Sequence, residues 1–150
     1  MAHPPLSKPV SILLVDDDDV DVMGIQRAFA KLKILNPIVR ARDGLEALEL
    51  LRGQGHIDHP YLILLDINMP RMNGIETLAA LRADPQLANA VVFILTTSRD
   101  DQDKLAAYEK HVAGYIVKQN AGDDFLQLIS LLDHYWRIVE WPLEATREAT

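Results

Sequence analysis

Residues 61–70 read Tyr-Leu-Ile-Leu-Leu-Asp-Ile-Asn-Met-Pro, with Asn73-Gly74 shortly after. An unbroken apolar run that stops at a single acid is the pattern of a strand buried on both faces, as in a parallel sheet covered by helices. Pro70 and Asn73-Gly74 then force a turn and open a helix. Asp66 therefore stands at the carboxyl tip of a buried strand, with Asn68 two residues further on.

Working outward, the same punctuation recurs. Ser11 to Val15 (SILLV) is a strand, followed by the acidic run Asp16 to Asp19. A helix is expected from Asp19 to Lys33, because Val22, Ile25, Phe29 and Leu32 fall on one face. Asn36-Pro37 breaks it, and Pro37 to Ala41 is a second strand. Asp43 is placed to cap a helix that runs to Arg52. A loop, Gly53 to Pro60, leads into the third strand, Tyr61 to Leu65. The helix opened by Asn73-Gly74 ends near Asp84-Pro85, and Val91 to Leu95 (VVFIL) is the fourth strand. A charged helix from Asp100 to His111, a short strand from Gly114 to Val117 and a last helix from Asp123 to Arg137 complete the pattern. Five strands alternating with five helices predict an α/β fold, a five-stranded parallel sheet with helices on both faces. Its crossovers are expected to be right-handed.

Composition narrows the function classes. The 150 residues are 49% apolar and 25% charged, ordinary for one globular domain. No apolar run is long enough to span a bilayer, and the proline-rich start lacks the form of a signal peptide, so a cytoplasmic protein without membrane attachment is expected. The chain has no cysteine, which excludes disulfides and thiolate metal sites. A net charge of −7 without basic clusters argues against nucleic acid as a partner.

The strand ends carry the chemistry. The first ends in Asp16-Asp17, the third in Asp66, the fourth in Thr96 and the fifth in Lys118. In an open α/β sheet, ligands bind beyond the carboxyl ends of the strands, where strand order reverses. Three carboxylates gathered there repel one another, and a hard divalent cation such as Mg²⁺ relieves the repulsion. A hydroxyl from Thr96 and an ammonium from Lys118 add donors for phosphoryl oxygens. Thr97 is a rival for the role of Thr96. Phosphoryl transfer asks a protein chiefly for positioning and charge neutralisation, and a carboxylate can accept the group as an acyl phosphate. No histidine is placed to act as a general base at Asp66. His56 and His59 beside Asp58 read more simply as surface loop residues than as metal ligands.

Four segments in order, Ile12–Asp17 (ILLVDD), Leu64–Pro70 (LLDINMP) with Asn73-Gly74, Leu95-Thr96, and Tyr115–Lys118 (YIVK), resemble the receiver domain family of response regulators. The separations agree: 49 residues from Asp17 to Asp66, 30 to Thr96 and 22 more to Lys118. The resemblance implies the flavodoxin-like receiver fold with strand order 2-1-3-4-5. It implies phosphorylation on Asp66 by a sensor histidine kinase, with Thr96 and Lys118 contacting the phosphoryl group. It also implies Mg²⁺ held by Asp17, Asp66 and the carbonyl of Asn68, with Asp16 acting mostly through a water. Thr96 and Tyr115 match the family's switch pair, although a half-buried strand tyrosine needs no such role. Asn68 and Ser98 match positions that tune loss of the phosphate. The chain departs from the family at Gln119, where a proline usually follows the lysine, so a different loop is expected there. Asp18 and Asp19 fall to the start of the first helix, where negative charge suits the dipole.

The expected domain plan is a flexible arm at 1–9, a receiver at 10–137 and a C-terminal extension at 138–150. Only 13 residues follow Arg137, so output is expected through protein–protein contact, or by passing the phosphoryl group onward, rather than through an effector domain. The last helix and tail carry more apolar residues than one buried face requires, and Phe125, Leu128, Leu132, Trp136 and Trp141 are expected to form a homodimer interface. Asn36-Pro37, Arg42-Asp43-Gly44 and Tyr135-Trp136 resemble the small response regulators that pair with phytochrome-type kinases, or bacteriophytochromes. Two other readings compete. A Mg²⁺-dependent phosphatase would need an acid at position 68, which is Asn68. A docking module without phosphate chemistry has only Gln119 in its favour.

Overall fold

Apolar residues alternate between two faces along each central strand, and each face has its own helices. The strands are β1 (Ser11–Val15), β2 (Ile38–Ala41), β3 (Tyr61–Asp66), β4 (Val91–Thr96) and β5 (Gly114–Val117). Between them run α1 (Asp19–Lys31), α2 (Gly44–Arg52) and α3 (Gly74–Ala83). The computed structural model describes residues 10–31, 33–53, 57–58, 60–96 and 112–117. The expected helices at 100–111 and 123–137 lie outside the described residues, as do the arm and the extension.

All neighbouring strands are parallel, and the sheet order is β2-β1-β3-β4-β5. One core layer packs Val22, Ile25, Ala28 and Phe29 of α1 against Ile12, Leu14, Leu62, Leu64 and Leu95. The other packs Ala47 and Leu48 of α2 and Leu78 and Leu81 of α3 against Leu13, Val15, Ile63, Leu65 and Ile94. Fully burying an aliphatic side chain contributes about 1.5–3 kcal/mol, so the two layers dominate the stability. No helix among the described residues is long and apolar enough to cross a membrane.

The end of α1 corrects the sequence reading. The helix stops at Lys31 rather than Lys33. Lys33 adopts a left-handed backbone, φ 58°. Its N–H donates to the carbonyl of Ala30 at 3.1 Å, and the N–H of Ile34 reaches back to Phe29 at 2.9 Å. This pair of bonds is a Schellman cap, usually built on glycine. Ile34 packs against the core layer that contains Phe29, which supplies the accompanying apolar contact. Lys33→Gly is therefore expected to stabilise the fold by about 0.5–1 kcal/mol, since relief of the left-handed strain exceeds glycine's added chain entropy. Thermal unfolding checks this, and a lowered midpoint would contradict it.

The N-terminus of α2 behaves as its sequence suggests. The Asp43 carboxylate accepts from the N–H of Glu46 at 2.9 Å. The same side chain pairs with Arg71, whose Nε lies 2.6 Å from Oδ2. Burial disfavours the charged form, but the Glu46 N–H and the Arg71 guanidinium outweigh it and hold the carboxyl below the ordinary aspartate value. A depressed folded pKa means that the pair's contribution is complete above the unfolded value of about 3.9 and disappears as pH falls through the lower folded value. Asp43→Asn keeps a capping oxygen and removes the charge. At neutral pH it is expected to cost about 1 kcal/mol or less, because the Arg71 side chain is 62% exposed and screened. Urea unfolding should show the difference from wild type shrinking below pH about 4.

Candidate phosphoryl and metal site

β1 runs to β2 on one side and lies beside β3 on the other, so strand order reverses between β1 and β3. The register pairs Val15 with Leu65, which sets the next residues, Asp16 and Asp66, side by side. Asp66 in turn pairs with Leu95, one residue short of Thr96.

The four acids of the β1–α1 junction divide their work. Asp16 is fully buried. One of its carboxylate oxygens accepts from the N–H of Asp18 at 2.9 Å. Asp17 is exposed and turned toward the same cluster. Asp18 caps α1, accepting from Val20 at 2.8 Å and Asp21 at 3.3 Å. Asp19 pairs with Arg40 at 2.7 Å and Arg42 at 3.5 Å. The Arg40 hydrogen bond, with the charge of Arg42, holds the Asp19 carboxyl below its ordinary value.

Edge strand β2 adds a part that the sequence reading left out. The Nε of Arg40 donates to the backbone carbonyl of Asp16 at 3.0 Å while its NH1 holds Asp19. Arg40 thus clamps both ends of the acidic run. Nothing in the local sequence of a short edge strand signals such a contact, since it depends on the register of β1 against β2.

Asp66 is 2% exposed at the tip of β3, and the N–H of Asn68 approaches its Oδ1 at 3.3 Å. The chain then turns sharply. The N–H of Ile67 donates to Leu95 at 3.1 Å, and that of Gly74 to Ile67 at 3.0 Å. Asn73 caps α3 in a reciprocal box with Glu76, at 2.8 and 3.0 Å. Gly74 is required by proximity. A Cβ there would lie 2.5 Å from the carbonyl oxygen of Asp66 and 2.6 Å from the Cα of Ile67.

One carboxylate oxygen from each of Asp16, Asp17 and Asp66 lies within 4.8 Å of the others. Ligands of an octahedral Mg²⁺, with bonds of about 2.1 Å, are separated by about 3 to 4 Å. Three carboxylates gathered this closely, two of them buried, are the oxygen donor set that suits a hard divalent ion. Asn68 is exposed at the start of the loop beyond Asp66. Thr96 is fully buried as the last residue of β4. Tyr115 pairs in register with Ile94, two residues before Thr96, and is half-buried against the α2–α3 core layer. Tyr115 and Thr96 therefore share a sheet face. Lys118, Thr97 and Ser98, and the expected interface residues Phe125, Leu128, Leu132, Trp136 and Trp141, lie outside the described residues.

The family model of the response regulator receiver domain matches residues 12–130. The chain belongs to that family. Response regulator Rcp1 of Synechocystis sp. is 35% identical to this receiver over 131 residues, spanning 85% of this chain and 89% of the relative. Solved structures agree with the fold. The phosphorylated cyanobacterial phytochrome response regulator RcpA aligns with a TM-score of 0.75 at 33% identity, over 91% of this receiver and 100% of that chain. The Mn²⁺-bound form of Rcp1 gives 0.73 at 34% identity, over 90% and 100%. The bacteriophytochrome response regulator AtBRR gives 0.69 at 32% identity, over 91% and 98%.

Proposed function

We propose that this receiver is a response regulator domain that accepts a phosphoryl group on Asp66 from a phosphohistidine of a sensor kinase. The observation that carries this reading is the meeting of Asp16, Asp17 and Asp66 at the strand-order reversal. In the transfer, a carboxylate oxygen of Asp66 bonds to phosphorus as the phosphorus–nitrogen bond to the donor imidazole breaks. Asp16, Asp17, Asp66 and the Asn68 carbonyl are the proposed ligands of Mg²⁺, which when bound supplies charge neutralisation for the phosphoryl oxygens. The Thr96 hydroxyl and the Lys118 ammonium are proposed to donate to those oxygens. Water later attacks phosphorus, releasing inorganic phosphate and regenerating the carboxylate.

Output is proposed to follow from the shared face of Thr96 and Tyr115. A hydroxyl drawn to the phosphate vacates space, and the tyrosine ring shifts toward it, biasing two conformations of that surface. The partner kinase is proposed to be of the phytochrome class, a reading supported by the relatives RcpA and AtBRR. Homodimerisation through Phe125, Leu128, Leu132, Trp136 and Trp141 rests on the apolar surplus of the sequence alone.

The test is incubation of the purified protein with Mg²⁺ and a small acyl phosphodonor, followed by peptide mapping. Mass gain confined to the peptide carrying Asp66, and abolished by a chelator, is expected. Modification elsewhere, or none, would overturn the reading.

A further inference from the structure

The loop between Asp66 and α3 contains a second left-handed residue. Arg71 has φ 61°. The N–H of Met72 donates to the carbonyl of Pro70 at 2.6 Å, closing a three-residue turn around it. Turns of this kind are rare for residues with a Cβ, and persist only where surrounding structure enforces them. The Arg71 side chain is tied to a second element. The Arg71 guanidinium grips Asp43 through Nε at 2.6 Å and through NH2 as well. Asp43 is itself 3% exposed and fixed by its cap on α2. A weaker bond, Gly44 N–H to the Met72 carbonyl at 3.3 Å, joins the same two elements. The loop is thus held at its start by β4, at its end by the Ile67–Gly74 bond, and in its middle by α2.

We propose that Arg71, through its ion pair with Asp43, is a positioning residue: it holds the loop beyond Asp66 in the shape that sets the Asp66 and Asn68 groups for ion binding and phosphoryl acceptance. This rests on the reading of Asp66 given above. Without the pair, an ordinary residue at position 71 relaxes to negative φ, and the loop spends part of its time away from the competent shape. Apparent ion affinity falls by the fraction lost. Glycine at the same position meets no steric penalty at positive φ, so it keeps the turn without the ion pair. Rescue by glycine separates the shape of the loop from the charge of the arginine.

The experiment compares full-length wild type, Arg71→Ala and Arg71→Gly. It measures the rate of phosphodonor labelling against Mg²⁺ concentration, at a temperature where circular dichroism shows all three folded. Arg71→Ala is expected to raise the half-saturating Mg²⁺ concentration about fivefold, and Arg71→Gly to return it to within about twofold of wild type. The amide resonances of Asn68 and Met72 report the loop independently of any chemistry. They should shift in Arg71→Ala and recover in Arg71→Gly. An alanine variant that matches wild type in both measurements, or a glycine variant as impaired as the alanine one, overturns the inference. Wild type that takes no label at Asp66 sinks the functional reading instead, and the amide resonances then decide the loop claim alone.

Discussion

Asp66→Asn is expected to abolish phosphoryl acceptance and, in the absence of metal, to make the fold more stable. The first effect follows from chemistry: a carboxamide has no anionic oxygen to form an acyl phosphate. The second follows from placement. Asp16 and Asp66 are 0% and 2% exposed. Their oxygens lie within 4.8 Å of each other. Like unit charges that close repel by about 3 kcal/mol at an effective dielectric of 20. Nearby cations and water offset part of this, so a gain of about 1–2 kcal/mol is expected for the amide, or about 3–6 °C in midpoint. With excess Mg²⁺ the order should reverse, because an ion that binds the folded state alone stabilises wild type more than the weakened site. Calorimetry with and without Mg²⁺ reads both signs. A metal-free midpoint for Asp66→Asn at or below that of wild type would mean that position 66 is held by cations rather than repelled by its neighbours.

The readable part of this chain was the part whose signals are local. Buried parallel strands are continuous apolar runs, and YLILL, SILLV and VVFIL declare themselves with boundaries accurate to a residue. Caps are equally local: Asp43 and Asn73 bond residues three positions ahead, and the Asp16–Asp19 run sorts into cluster and cap by its distance from β1. The sheet order came from the family resemblance, since alternation alone does not fix it. What stayed illegible depends on tertiary register or on an atypical residue in a special conformation. Lys33 ends α1 in a position that usually announces itself with glycine. Arg40 reaches Asp16 across 24 positions, and Arg71 reaches Asp43 across 28. No periodicity carries contacts of that kind.

Gly74→Ala sets two rules against each other, and the magnitudes decide between them. Helix propensity alone favours alanine over glycine by about 1 kcal/mol. Gly24, in the interior of α1, has nothing within 4 Å of a would-be Cβ, so Gly24→Ala should realise that gain. At Gly74 the same methyl group would meet the Asp66 carbonyl oxygen at 2.5 Å and the Ile67 Cα at 2.6 Å. Both obstacles are backbone, which cannot rotate aside as a side chain can. The start of α3 must therefore lift from β3, stretching the Gly74–Ile67 bond of 3.0 Å and disturbing the Asn73–Glu76 box. Overpacking together with a lost buried hydrogen bond costs about 2–4 kcal/mol, which exceeds the propensity gain. Gly74→Ala is expected to lower the midpoint by about 5–10 °C, while Gly24→Ala raises it by about 3 °C. The displaced carbonyl belongs to Asp66 itself, so labelling by a phosphodonor should slow in Gly74→Ala even where the protein is fully folded, and stay at the wild-type rate in Gly24→Ala. Two alanines that move stability in the same direction would mean that α3 does not press on the acceptor strand as closely as these distances require.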